Sequence, residues 1–139
     1  MTQVVRDAMV PDPAALAADA PAREAGEQLS RPEVRAVFVC EDHTLVGVIT
    51  RKTLVQEVVA AGRDPNTTPA GEIAESPNWT LDPGMPLDEA FRFLEDHDAE
   101  RVPVTEDGRL VGVLSRSVLQ RRLAEDEPPP LEEDPGSAY

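Results

Sequence analysis

The segment LVGVITRKTL, residues 45–54, returns with few changes as LVGVLSRSVL, residues 110–119. The two segments are 65 positions apart, and further identities occur at the same offset without a gap. These include Leu16 and Leu81, Pro21 and Pro86, Ala25 and Ala90, Leu29 and Leu94, Val37 and Val102, and Val39 and Val104. Self-similarity of this extent indicates two copies of one supersecondary unit. Two units are too few for a solenoid, so the sequence predicts that they face each other as a pseudo-twofold pair.

The order of elements is clearest in the second copy. In PLDEAFRFLEDH, residues 86–97, apolar residues recur at helical spacing and the initial proline suits a first helical turn. RVPVTEDGRLVGVL, residues 101–114, then contains two β-rich runs around an Asp-Gly pair, which is a strong hairpin signal. In the first copy His43 takes the place of Gly108, which predicts a slightly different turn there.

A second helix is predicted after each hairpin, over residues 51–62 and 116–125, and a short strand is predicted around Leu16 and Leu81. Each copy then follows the order strand, helix, strand, strand, helix. The predicted fold class is α/β.

Composition narrows the class of protein. The chain has 139 residues, of which 40% are apolar and 4% aromatic. No apolar run approaches the roughly 20 residues that a membrane-spanning helix needs, and the first residues lack the pattern of a signal peptide. The single cysteine, Cys40, excludes an internal disulfide, and no Cys/His cluster suggests a metal site. We therefore expect a soluble cytoplasmic protein without a membrane segment or a bound metal.

The charge is strongly negative. There are 27 acidic and 13 basic residues, a formal net charge of −14. Such a chain repels a phosphate backbone over most of its surface, which argues against nucleic acid as a partner. The stretch AEDEPPPLEEDPGSAY, residues 124–139, is acidic and proline-rich with almost nothing to bury, and is predicted to be a disordered tail.

The motif RVPVTEDGRLVGVLSRSVL, residues 101–119, resembles the signature of the CBS domain. That family's pattern is an apolar residue, any residue, Pro-Val, an acidic turn, apolar-Gly-apolar-apolar, then Ser/Thr and, three residues later, Asp. The resemblance places CBS motif 1 at residues 5–62, a linker at 63–69 and CBS motif 2 at 70–123. It also extends to short stand-alone bacterial proteins that consist of a CBS pair.

The resemblance implies an architecture and a role. Two CBS units of the form β-α-β-β-α associate as a Bateman module with two clefts between them, and such modules commonly form homodimers. Many members bind an adenosine-containing ligand in a cleft, such as AMP, ADP, ATP, NAD or S-adenosylmethionine. The family is regulatory and has no catalytic residues of its own, so no cofactor is required.

The candidate ligand residues lie where strands meet helices. Thr50 and Ser115 each end an apolar strand and open a helix, where hydroxyls cap helices and free N–H groups attract phosphate. Arg51, Lys52 and Arg116 follow and offer charged donors. The alternative is that the two hydroxyls only cap their helices and that the basic residues are solvated.

One departure from the family pattern concerns the ribose. The family's ribose-binding Asp is replaced by Thr53 in the first copy and by Val118 in the second. Thr53 keeps one hydroxyl and stays a candidate, whereas Val118 offers no polar group, so the two clefts are predicted to be unequal.

Two strands supply the remaining candidates. The resemblance implies that one strand of each copy meets adenine through its backbone in ligand-binding relatives. In this chain those strands contain Val37 and Phe38 in the first copy and Val102 and Pro103 in the second. The alternative is that these four residues belong only to the core. Trp79 either stacks on a base or covers the rim of the core.

Two hypotheses follow from the sequence. In the first, the protein is a regulatory sensor that binds an adenosine-type nucleotide in a cleft. In the second, it is a degenerate CBS pair that acts as a dimerising or partner-binding scaffold without a ligand. An enzyme is not predicted, because no nucleophile elbow, phosphate-binding glycine loop or metal motif is present.

Overall fold

The computed structural model describes residues 3–11 and 13–125. Most of the predicted acidic tail lies outside this range. The helices are α1 (Val5–Ala8), α2 (Ala22–Leu29), α3 (Arg51–Leu54), α4 (Ala70–Ile73), α5 (Leu87–Asp96) and α6 (Arg116–Glu125). The strands are β1 (Val10–Pro11), β2 (Ala15–Ala17), β3 (Val37–Glu41), β4 (Thr44–Ile49), β5 (Arg101–Glu106) and β6 (Arg109–Ser115).

The two hairpins are built alike. Strand β3 pairs antiparallel with β4, and β5 pairs antiparallel with β6. Each hairpin shifts register at the same place, after Val39 in the first and after Val104 in the second. In the first copy β2 runs parallel to β3, and in the second Leu81 forms a single parallel bridge to Val104. Every one of these pairings repeats at the offset of 65, which confirms the predicted duplication.

The pseudo-twofold axis passes between β4 and β6. Thr44 pairs with Arg109, its own equivalent in the other copy. The Leu45 N–H donates to the Gly108 carbonyl at 3.0 Å, and the Leu110 N–H donates to the His43 carbonyl at 3.1 Å. The strands therefore form one curled sheet in the order β1-β6-β4-β3-β2, with β5 added to β6. The predicted α/β fold with pseudo-twofold pairing is confirmed.

The prediction of a different turn in the first hairpin is wrong. Asp42 and His43 have φ values of 52° and 69°, and Asp107 and Gly108 have 55° and 81°. Both turns therefore place two successive residues in the left-handed region, as tight hairpins require. His43 adopts the conformation for which glycine is favoured, because the pairing of the two strands fixes the turn.

Two buried clusters form the core, and short helices are exchanged between them. Helix α1 is the first element of the first copy, yet its Val5 and Ala8 lie in the cluster of the second copy. Helix α4 is the first element of the second copy, yet its Ala70 and Ile73 lie in the cluster of the first. The offset of 65 holds here too, since Val5 corresponds to Ala70. Neither four-residue helix was predicted, because their apolar positions are explained only by a partner distant in sequence.

Backbone hydrogen bonds hold both exchanged helices in place. The Ala70 N–H donates to the Ala20 carbonyl at 2.7 Å, and the Val5 N–H donates to the Met85 carbonyl at 2.9 Å. These are again equivalent contacts at the same offset. The two copies are therefore interlocked.

The helix after β4 differs from the prediction in its winding. Helix α3 covers only Arg51–Leu54 and continues as a π-helix over Val55–Val59, whereas one regular helix was predicted over 51–62. In the second copy α6 runs as an α-helix from Arg116 to Glu125. Within the described part of the chain, no helix combines the length and apolar character that crossing a membrane requires.

Candidate functional site

A cleft of about 260 Å³ lies between the two copies. We call it the first cleft. Its lining comes from both copies: Ala36, Phe38, Val48, Thr50, Glu75, Ser76, Pro77, Asn78, Trp79, Ala99, Glu100, Arg101, Val102 and Pro103. Four of the residues predicted from the sequence, Thr50, Phe38, Val102 and Pro103, are therefore brought together. The duplication explains this, since the strand ends of one copy face those of the other.

Most of the first cleft is apolar. Phe38 and Val102 are only 7% and 2% exposed, so they form a fixed wall as well as part of the core. Ala36, which directly precedes β3, and Pro103 of β5 also line the cleft, and neither carries a long side chain. Such a slot suits a flat, largely apolar group.

One corner of the first cleft is polar, and we call it the Thr50–Glu75 corner. The Thr50 hydroxyl and the Thr53 hydroxyl lie 3.0 Å apart, and the Thr53 hydroxyl donates to Oε2 of Glu75 at 3.3 Å. The Thr50 N–H donates to the Thr53 hydroxyl at 3.0 Å. Thr53 is fully buried behind this corner, so Thr50 and Glu75 face the cleft and Thr53 holds them.

Glu75 was not among the predicted site residues. It reaches the cleft because its segment pairs with β4: the Val48 N–H donates to the Glu75 carbonyl at 2.8 Å and the Glu75 N–H donates back at 2.9 Å. The close approach depends on Gly47, where a Cβ atom would lie 2.5 Å from Cβ of Ala74 and 3.0 Å from the Glu75 carbonyl oxygen. Comparison of the two copies did not indicate Glu75 as a site residue, because the equivalent position at the offset of 65 is Val10.

Trp79 forms one side of the cleft and joins an aromatic cluster. Its ring meets Phe93 edge-on at 6.0 Å between centroids and lies 4.9 Å from the ring of His97. Phe93 and His97 are 4.2 Å apart, and Nδ1 of His97 lies 3.0 Å from the Phe93 carbonyl oxygen. Trp79 therefore covers the second core and also lines the cleft, whereas its stacking on a base stays a prediction.

The basic residues after Thr50 point elsewhere. The Arg51 guanidinium donates to the Arg31 carbonyl at 2.8 Å, which ties α3 to the loop after α2. Lys52 is exposed, and neither residue is part of the lining. Their role as ligand donors stays a prediction.

The equivalent region around Ser115, which we call the second cleft, is polar. It measures about 310 Å³ and is lined by Glu33, Arg35, Glu100, Arg101, Ser115 and Ser117. The Ser115 hydroxyl contacts the Ser117 hydroxyl at 3.1 Å and accepts from the Val118 N–H at 3.4 Å. Val37 is buried in the first core and does not line this region.

Arg116 is occupied by acidic neighbours of the second cleft. Its guanidinium contacts Asp98 at 3.3 Å and Glu100 at 3.7 Å. Among the described residues, those that line the second cleft are charged or carry a hydroxyl, in contrast to the largely apolar lining of the first cleft. The two clefts are therefore different in structure, as the divergence of the copies suggested.

The remaining reactive groups are dispersed. Burial raises the pKa of the Cys40 thiol, which keeps it in the less nucleophilic protonated form. Cys40 borders a separate cavity of about 460 Å³ beside His43. Among residues 3–11 and 13–125, no group of three or more His, Cys, Asp or Glu side chains is placed to hold a metal ion.

Comparison with known proteins agrees with this geometry. A model of the family described as CBS domain matches residues 5–60 and 70–125. Hypoxic response protein 1 of Mycobacterium tuberculosis is 33% identical over 102 residues, which are 73% of this chain and 71% of that protein.

Solved structures show the same fold. The crystal structure of hypoxic response protein I with two coordinated zinc ions has a TM-score of 0.73 and 29% identity, over 86% of this chain and 98% of that one. The crystal structure of CBSX2 in complex with AMP has a TM-score of 0.72 and 24% identity, over 89% and 98%. The chain belongs to the CBS-domain family and carries two CBS domains in tandem.

Proposed function

We propose that this CBS-domain protein is regulatory and binds an adenosine-type nucleotide in the first cleft. The observation that carries the proposal is the pairing of an apolar slot with a polar corner, contributed jointly by the two domains. The AMP complex of CBSX2 supports it, because that protein shares the fold.

The size of the first cleft narrows the choice of ligand. Its volume of about 260 Å³ is just below the usual range of roughly 300–1,000 Å³ for small-molecule pockets. A single nucleoside unit fits this space better than a dinucleotide. By size alone, AMP, ADP, ATP and S-adenosylmethionine therefore rank before NAD. No catalytic step is part of the proposal, and a cytoplasmic location stays a prediction.

Filling the slot tests where the ligand binds. Ala36→Leu adds a branched side chain to the wall of the first cleft. We expect nucleotide binding to weaken at least about tenfold, because a steric clash between the leucine and the ligand that costs ~1.4 kcal/mol of binding free energy has this effect. Isothermal titration calorimetry with AMP, ADP, ATP, NAD and S-adenosylmethionine measures the effect. Ala61→Leu, at an exposed position after the π-helix, is the matched control. Equal affinity of the two variants would contradict binding in the first cleft.

A scaffold role is the second candidate, and it rests on an apolar groove between α2 and the π-helix. The groove is lined by Ala22, Arg23, Gly26, Glu27, Ser30, Leu54, Val58, Val59 and Pro65. Val59 in this lining and the nearby Val55 are 73% and 56% exposed, which is unusual for two apolar side chains in one turn. The aromatic residues Phe91 and Phe93 of helix α5 pack against the second core and do not form an exposed apolar surface of this kind.

We propose that a second copy of the chain covers this groove in a homodimer. Val59→Glu should convert the dimer to a monomer at about 50 µM, because each copy would bury an unpaired carboxylate. Multi-angle light scattering measures the mass. Gln56→Glu, which adds the same charge one turn earlier at an exposed position, is the control and should leave the dimer intact. A monomeric wild-type protein would refute the dimer, and the absence of nucleotide binding by a dimeric protein would favour the scaffold.

A further inference from the structure

The hydrogen-bond directions at the Thr50–Glu75 corner can be assigned. The Thr53 hydroxyl has one proton and donates it to the Glu75 carboxylate, because a carboxylate only accepts. In the 3.0 Å contact between the two hydroxyls, Thr50 must therefore be the donor. Its oxygen also accepts from the Thr53 N–H at 3.3 Å, which uses one of its two lone pairs.

This assignment fixes what the corner offers to a ligand. Thr50 presents its remaining lone pair, and Glu75 presents the oxygens of an exposed carboxylate. Both are acceptors, so the corner suits a group that donates hydrogen bonds. Two neighbouring hydroxyls, such as those of a ribose, are such a group, whereas a phosphate has only acceptors at neutral pH and is repelled.

The other charges that line the first cleft give no excess of positive charge. Glu100 contributes a carboxylate and Arg101 a guanidinium, and Glu100 also contacts the Arg116 guanidinium at 3.7 Å. At the Thr50–Glu75 corner the Glu75 carboxylate therefore decides the local charge, and a ligand with little negative charge there is favoured over a polyphosphate.

We propose that Glu75 is the residue that recognises the ribose hydroxyls, and that the first cleft selects a nucleoside with an intact diol and low negative charge. The proposal rests on the function proposed above. Thr53 acts as a positioning residue, since its buried hydroxyl orients the carboxylate. At the equivalent positions around the second cleft, Val10 and Val118 carry no polar side chain, so one ligand should bind per chain.

The test compares ligands that differ by one hydroxyl. Calorimetry is carried out on the full chain with adenosine, 2′-deoxyadenosine, 3′-deoxyadenosine and ATP. The wild-type protein should bind adenosine about tenfold more tightly than either deoxynucleoside, as expected for a lost hydrogen bond to a charged group. Adenosine should bind at least as tightly as ATP, with one site per chain.

Glu75→Gln should weaken adenosine binding about tenfold and remove most of the preference over the deoxynucleosides, each of which keeps one hydroxyl and should lose less affinity than adenosine. Glu100→Gln removes the same charge from the same cleft without touching the Thr50–Thr53 pair, and should retain the preference. Thr53→Val keeps the Glu75 carboxylate but removes the hydroxyl that orients it. This variant should reduce the preference for adenosine over the deoxynucleosides only in part.

The outcomes separate the two proposals. If the wild-type protein prefers adenosine and Glu75→Gln retains that preference, the role of Glu75 is refuted while the cleft remains the binding site. If ATP binds much more tightly than adenosine, the selection for low charge is refuted. If the wild-type protein binds none of these ligands, the proposed function itself fails, and the ribose recognition fails with it.

Discussion

Gly47→Ala is expected to lower the free energy of unfolding by about 2–3 kcal/mol and to weaken ligand binding. The added Cβ would lie 2.5 Å from Cβ of Ala74 and 3.0 Å from the Glu75 carbonyl oxygen, and the latter is backbone that cannot rotate away. The segment must therefore move off β4. Its two hydrogen bonds with Val48 are then strained, and Glu75 leaves its place at the cleft.

The control for this variant is the same substitution in helix α2. Gly26→Ala places a Cβ atom 3.8 Å from Leu54, an ordinary contact, and should raise the stability by up to about 1 kcal/mol because alanine favours the helix. Urea denaturation measures both variants, and calorimetry measures the ligand. If the two substitutions changed stability in the same direction, the close approach at Gly47 would not be the cause.

Ile73→Ala is expected to cost about 3 kcal/mol of unfolding free energy. Ile73 is only 3% exposed and lies in the first core, although it belongs to the second copy in sequence. Truncation leaves a cavity against residues of the first copy that rigid strands cannot close.

Hydrogen exchange shows which of the two cores is weakened by Ile73→Ala, which the total loss of stability does not. Amide hydrogen exchange should accelerate more in β3 and α2, which contact the first core, than in β5 and α5. Val10→Ala removes apolar atoms from a side chain that is 50% exposed and lies outside the groove between α2 and the π-helix, and it should change the stability by less than about 0.5 kcal/mol. Faster exchange confined to the second copy would show that α4 does not serve the first core.

Much of the fold could be predicted because its cause lies in local pattern. The apolar spacing of residues 87–94 predicted α5, and the Asp-Gly pair at 107–108 predicted the second hairpin. The offset of 65 predicted the pseudo-twofold arrangement. These signals depend on residues close in sequence, or on a comparison of the chain with itself.

The parts that were missed depend on contacts between distant segments. Helix α4 is part of the second copy in sequence, but its apolar side chains pack in the core of the first copy. Glu75 lies at the cleft because Gly47 leaves space for its backbone, a relation that no motif records. The sequence predicted Thr53 to be a weak substitute for a carboxylate, and the structure shows that its hydroxyl holds a carboxylate from another segment.

The exchange of α1 and α4 has a consequence for a chain of half the length. A polypeptide that ended before the linker would possess one helix without a groove to occupy and one groove without a helix to fill it. Two identical halves of this kind would complete each other, each lending its first helix to its neighbour. The contact between Thr44 and Arg109 would then lie on a true twofold axis. Joining the halves into one polypeptide removes the dependence of that assembly on concentration and allows the two grooves, and the two clefts, to diverge.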